Sequence, residues 1–226
     1  MHRLSLAALS ILLLTSMAKA EDSADRILAR VAQTYASMQS YKDRGVVLRY
    51  LPPDAPPNET SFETAFTRPA LFRFAFVAHH PYPPLRHIAW PAVVWSDGVD
   101  SFSRYDYGTG PPETHEAKSL ALAIAGATGV SGGAAHTVPR LLMPEIGGFS
   151  ITELKSNTLL GVENIEGETC YHLVGEAPGI GQIHVWIGTE SALIRKLQEH
   201  LGTTLQEEIR RDIHVNEQIP RERFLP

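Results

Sequence analysis

The 226-residue sequence is poor in cysteine. Its one thiol, Cys170, excludes an intramolecular disulfide and any cysteine-rich zinc site. Basic charge is also short: 20 Lys and Arg stand against 25 Asp and Glu, for a formal net charge of -5. That balance argues against a nucleic-acid binder, which carries basic patches on the domain scale. Internal repeats and interdomain linkers are missing, and only the first residues form a long apolar run. An integral membrane protein is therefore not expected. What is present is an ordinary globular composition, 43% apolar and 20% charged, which excludes wholesale disorder. Sixteen prolines and seventeen glycines imply many turns, as in an all-β or α+β fold.

The first residues follow the three-part grammar of a secretory signal peptide. Met1-His2-Arg3 is a short positive start, Leu4 to Met17 is apolar, and Ala18-Lys19-Ala20 is an A-x-A cleavage site. Residues 1–20 are expected to be removed on export, leaving one domain over residues 21–226. The expected location is the periplasm.

Periodicity then sets the organisation. Asp22 to Tyr41 places Ile27, Leu28, Val31, Tyr35 and Met38 on one stripe, an amphipathic helix that should lie on a sheet. From Arg44 the period changes to two. Strands are expected from Arg44 to Tyr50, around Phe62–Phe66, from Leu71 to Val77, and from His87 to Trp95. Ser96-Asp97-Gly98 turns into a partner strand from Val99 to Tyr107. Residues 116–144 break the pattern. Glu116–Ala127 and Val138–Met143 read as short helices flanking a glycine-rich stretch, Gly126–Ala135. Strands resume from Ile151 to Val215. The expected fold class is α+β: a strongly curved antiparallel sheet, or half-open β-barrel, with an N-terminal helix and a helical insertion mid-chain.

Several motifs invite chemistry. Gly129-Val130-Ser131-Gly132-Gly133 fits G-x-S-x-G with His136 nearby, but a nucleophile elbow needs a strand before its serine, and here a helix precedes it. His79, His80, His87 and His115 have no metal-ligand spacing, so no metal or other cofactor is expected. Glu163, Glu166 and Glu168 read as a solvated hairpin, and Cys170 as a buried small apolar group.

Four segments together resemble the LolA-like group of periplasmic lipoprotein carriers and outer-membrane lipoprotein-sorting proteins. They are the N-terminal helix running into a strand, Thr67-Arg68-Pro69-Ala70-Leu71-Phe72-Arg73-Phe74, and Ser96-Asp97-Gly98 with the aromatic strand after it. The fourth is the tail from Asp212 through Val215-Asn216 and Ile219-Pro220 to Phe224. Phe74 stands where the family pattern has Trp, and the loop His79–Pro84 is longer than the pattern. The resemblance implies a half-open barrel whose mouth is covered by helices, with residues 116–144 as the lid. It implies that Arg68 hydrogen-bonds the closed lid and that Phe72 lies at the cavity mouth. The implied function is a non-enzymatic carrier of a lipoprotein acyl chain or another lipid, with membrane-associated donor and acceptor proteins as partners.

An acyl chain needs a continuous apolar surface, since each buried CH₂ contributes about 0.8 kcal/mol. The candidates are Phe62, Phe66, Phe72, Phe74, Phe76, Trp90, Trp95 and Phe102, with Leu120 and Ile124 from the lid. The same aromatics would equally fill a closed core, and the sequence leaves both open. Two other functions stand beside the carrier: a periplasmic regulatory sensor in envelope-stress signalling, and a hydrolase using Ser131.

Overall fold

The structure is a computed structural model and describes residues 23–51 and 56–225. The expected signal peptide lies outside the described residues. The chain opens with helix α1 (Ala24–Ser37), whose Ser23 Oγ accepts from the Arg26 amide and so satisfies one orphan donor of the first turn. Ile27, Leu28, Val31 and Tyr35 form its buried stripe. The helix ends earlier than its periodicity suggests. Tyr41 is already paired with Phe66 and Val215, so strand β1 begins at Ser40 and runs to Tyr50.

Strands β2 (Asn58–Thr67), β3 (Leu71–His79), β4 (Ala89–Asp97), β5 (Ser101–Tyr105) and β6 (Glu113–Ala117) follow as an antiparallel meander. Helices α2 (Leu120–Val130) and α3 (Ala134–Leu142) come next. Strands β7 (Lys155–Ile165), β8 (Glu168–Ala177), β9 (Gly181–Gly188), β10 (Ile194–Leu201) and β11 (Thr204–Val215) complete the chain. They make one eleven-stranded sheet in the order β6-β5-β4-β3-β2-β1-β11-β10-β9-β8-β7. The pairing of β11 with β1 joins the two meanders, and among the described residues β6 and β7 are the edges of the sheet. The expected α+β architecture, an open curved sheet with one N-terminal and two mid-chain helices, is the one observed.

The insertion differs in detail from its sequence reading. Residues 113–117 pair with β5 as an edge strand, so the helix starts only after Ser119, whose Oγ accepts from the Leu122 amide. The glycine-rich stretch is mostly helical: α2 continues to Val130, and α3 starts at Ala134 after Gly132 and Gly133, both at positive φ. Alanines at 121, 123, 125 and 127 favour the helix and outweigh the two glycines within it.

One main core joins the helices to one face of the sheet. Phe62, Phe66, Phe72, Phe74, Phe76 and Val94 supply its aromatic half, and Leu173, Val185 and Ile187 its aliphatic half. The opposite face carries separate clusters, including Trp95 stacked on Phe102 at 5.2 Å between ring centres. The turn Arg221–Phe224 packs on β3 and β4 and buries Phe224.

Candidate ligand-binding site

The helix-covered face has three zones. β2, β3 and β4 present the phenylalanine floor because period two sends Phe62, Phe66, Phe72, Phe74 and Phe76 to one side. β8 and β9 present aliphatic residues on the other flank. Between them, β1, β11 and β10 present a polar seam: Asp43, Arg49, Glu199, Gln206, Glu208 and Arg210.

Arg210 is the centre of the seam. Its side chain is fully buried, as is that of Asp43. Its guanidinium donates to Glu208 at 2.6 Å, to Asp43 at 2.5 Å and to the Ala134 carbonyl of α3 at 3.0 Å. It also lies 4.8 Å over the Phe62 ring. Gly45 makes room for that stack: a Cβ there would come within 2.3 Å of both the Phe62 ring and the Ile209 carbonyl. Burial alone would lower the Arg210 pKa, but Glu208 and Asp43 outweigh it and hold the group charged, well above the ordinary arginine value. Tyr41 Oη donates to Asp43 at 2.6 Å, and burial with that carboxylate raises its pKa well above the usual tyrosine value.

The seam reaches the helical insertion at four points. Besides the Ala134 carbonyl, Thr137 Oγ1 donates to Glu208 at 2.8 Å, Gln206 Nε2 to the Gly132 carbonyl at 3.0 Å, and Arg49 to the Gly129 carbonyl at 3.5 Å. Arg49 also donates to Gln206 at 2.7 Å, and Gln206 to Glu199 at 2.7 Å. Burial and the neighbouring Glu208 raise the Glu199 pKa.

The residues singled out in the sequence separate into groups. The five phenylalanines lie together on the covered face, beneath Ile124 and half-buried Leu120 of α2. Trp90 shares that face near the start of β4, half-buried with its ring 5.5 Å from His80. Trp95 and Phe102 do not belong with them. They sit on the far side of the sheet, because Trp95 alternates with inward Val94 and the β4–β5 pairing places Trp95 opposite Phe102 and Val94 opposite Ser103. The phenylalanine floor is packed tight against the helices, so in this conformation its rings are core.

Arg68 has partners other than the ones the resemblance implies. It donates to the carbonyls of Met38 at 2.7 Å, Ala36 at 2.9 Å and Tyr35 at 3.3 Å. These are the orphan carbonyls at the C-terminus of α1, and a cation there also complements the helix dipole. No bond from Arg68 to residues 116–144 occurs among the described residues. Ser131 is buried between α2 and α3. Its Oγ donates to the Thr128 carbonyl and accepts from the Ala135 amide, while His136 bonds the Gly147 carbonyl at 2.9 Å. The serine is thus a helix cap, and no imidazole hydrogen-bonds it among the described residues.

Elsewhere, the hairpin carboxylates are paired, Glu163 and Glu166 while exposed as expected and Glu168 half-buried. Glu163 bonds His172 and Trp186, Glu166 bonds Arg211, and Glu168 bonds Ser191. Burial pushes the Cys170 thiol up to about 11, which keeps it protonated. His79 bonds the Arg86 carbonyl and His80 accepts from the Tyr82 amide. No cluster of three or more metal-ligating side chains exists among the described residues.

No protein-family model and no curated sequence matches the chain. Solved structures do. LprF from Mycobacterium bovis is similar with a TM-score of 0.52 and 16% identity, over 87% of this chain and 94% of that one. The lipoprotein LppX of Mycobacterium tuberculosis gives 0.47 and 14%, over 86% and 97%. A LolA superfamily protein, NE2245 from Nitrosomonas europaea, gives 0.36 and 11%, over 91% and 98%. At these values the LprF likeness establishes a shared fold.

Proposed function

We propose that the protein is a non-enzymatic carrier that takes an acyl chain, of a lipoprotein or another lipid, against the phenylalanine face of the sheet beneath α2 and α3. One observation carries this reading. The aromatic floor is covered by a segment without Asp, Glu, Lys or Arg from Ser119 to Pro139, and that segment is tied to the sheet's polar seam by a few hydrogen bonds. Small residues dominate its contact surface: Ala123, Ala127, Ala134 and Ala135 are all buried. The apolar part of such a cover exchanges one apolar partner for another, and a ligand that binds the raised arrangement better, by more than the hydrogen bonds to the seam are worth, shifts the population toward it. The location is the periplasm, reached through removal of residues 1–20. No described helix is long and apolar enough to cross a membrane.

The test is native mass spectrometry of purified protein, followed by titration with a palmitoylated peptide under hydrogen-exchange detection. A one-to-one complex is expected, with exchange changing across residues 120–142. Failure to bind the acylated peptide, or binding that leaves 120–142 unchanged, would refute the reading.

A further inference from the structure

The opposite face of the sheet holds a cavity of about 470 Å³. That is within the range of small-molecule sites, which run to several hundred cubic ångströms. Its origin is visible in the register. One cross-strand row reads Arg211, Arg44, Glu63, Ala75, Val93 and Arg104 from β11 to β5. Small apolar residues occupy the middle of the row and long charged ones its ends. In the next row toward the C-terminal turn, the corresponding places are filled by Arg73, Trp95 and Phe102. A depression therefore forms over Ala75, Val77 and Val93.

Charge gives the depression a sign. Four arginines, Arg44, Arg73, Arg104 and Arg211, line it against two carboxylates, Glu63 and Asp106, in a chain of net charge -5. Arg44 is engaged by Asp212 at 3.2 Å, and Arg211 donates to Glu166 at 2.7 Å. The other two arginines are less committed. Among the described residues, the Arg73 side chain donates only through Nε, to the Leu225 carbonyl at 3.2 Å, and the Arg104 side chain makes no hydrogen bond or ion pair. Burial lowers the Arg73 pKa, with Arg223 and Arg104 adding repulsion and Glu63 opposing them. Two guanidiniums that repel each other over an apolar floor are relieved by a shared anion.

We propose that this cavity is a second ligand site, separate from the helix-covered face. It takes an organic anion with an apolar body, a carboxylate or phosphate monoester. The acidic group is held by Arg104 and Arg73, and the body lies on Ala75, Val77 and Val93. The occupant is an amphiphile because Ala75, Val77 and Val93 make an apolar floor, with Ser61 the one hydroxyl among the residues lining it, and the positive charge stands at the rim with the arginines. The site stands whether or not the helix-covered face carries acyl chains.

The experiment is isothermal titration calorimetry of the full chain with dodecanoate, dodecyl phosphate and dodecanol. Dodecanoate or dodecyl phosphate is expected to bind at least tenfold more tightly than dodecanol, and the tighter of the two identifies the headgroup. Affinity should fall with added salt. Arg104→Gln should weaken anion binding about tenfold or more, and Val77→Phe, which fills the floor, should do the same by shape alone. Circular dichroism confirms that each variant is folded, and Arg104→Gln should leave palmitoylated-peptide binding unchanged. Equal affinity for dodecanol, absence of anion binding, or anion binding untouched by both substitutions would overturn the proposal.

Discussion

At the scale of single residues, the decisive group is an arginine in a strand that looks solvent-exposed. Arg210 is buried with two carboxylates, so removing it strands Asp43 and Glu208 without their counter-charge. Breaking one partner of such a cluster costs about 3–5 kcal/mol, more than the cluster's net worth, because an unpaired buried charge is left behind. Arg210→Leu is therefore expected to lower the urea unfolding free energy by that amount. Replacing Asp43 and Glu208 by Asn and Gln in the same chain should recover part of it. A loss below about 1 kcal/mol for Arg210→Leu would mean that water reaches the seam. A second residue-scale expectation concerns His184. Its Nδ1 meets His172 at 2.8 Å, and His172 bonds Glu163 at 2.6 Å and stacks on Trp186, with Lys196 4.8 Å over the same indole. Burial, then the nearby His172 and His200, lower the His184 pKa, while Glu163 opposes them. The unfolded chain thus binds a proton at this residue more readily than the folded one. Stability from this residue is complete above the ordinary histidine value of about 6.5 and is lost as pH falls below it. The lowered Glu163 pKa acts in the same direction, but only lower, through the carboxylate range. Urea midpoints at pH 7.5 and 5.5 should differ less in His184→Gln than in the parent.

At the scale of elements, two arginines exchange the roles their sequence context suggests. Arg68 stands in the segment resembling the carrier pattern, yet its guanidinium ties down the end of α1. Arg49 lies outside that segment, yet it reaches the α2–α3 turn through Gly129 and through Gln206. Their variants separate the two. Arg68→Leu should cost about 1.5–3 kcal/mol, as lost hydrogen bonds to a charged group do, and should speed exchange at residues 34–38. Arg49→Leu should instead speed exchange at residues 126–135 and leave α1 protected. The opposite pattern would return the cover-holding role to Arg68. The elements themselves were largely legible. Period three to four marked α1, and strict alternation put Phe72, Phe74 and Phe76 on one side of their strand, while the β2–β3 pairing brought Phe62 and Phe66 to the same face. The α2–α3 boundary was less so, because glycine next to alanine gives a helix no apolar stripe to announce it. The β11 pattern misleads outright. Leu205 and Ile209 would be assigned inward by hydrophobicity, whereas Gln206, Glu208 and Arg210 are the residues turned toward the helices.

At the scale of the whole molecule, the sheet has two unlike faces and both carry a candidate site. The covered face is apolar at its flanks and polar along its middle, and the open face has the arginine-rimmed cavity. The proposed export belongs to this scale too. A lone protonated thiol is compatible with an oxidising compartment, where it has no partner to pair with. Intact mass of the protein from a periplasmic fraction should correspond to residues 21–226. A full-length mass confined to the cytoplasm would rule the assignment out.

By itself the sequence determined the class of fold, the order of helix, strands, helical insertion and strands, and, within one strand, the shared side of Phe72, Phe74 and Phe76. These follow from periodicity, turn chemistry and capping, all of which act within a few residues. Only the tertiary structure decided that Trp95 and Phe102 lie on the far face, that Arg68 serves α1, and that a buried charge cluster fastens the insertion. The first two depend on pairings and contacts between neighbouring elements, and the last on the register between strands distant in the chain. Tyr41, Asp43 and Arg210 become neighbours only when β11 returns to pair with β1 across more than a hundred and fifty residues of sequence. A charged residue at period two reads the same whether its strand faces water or a partner, and burial with a counter-charge is a property of the pairing alone.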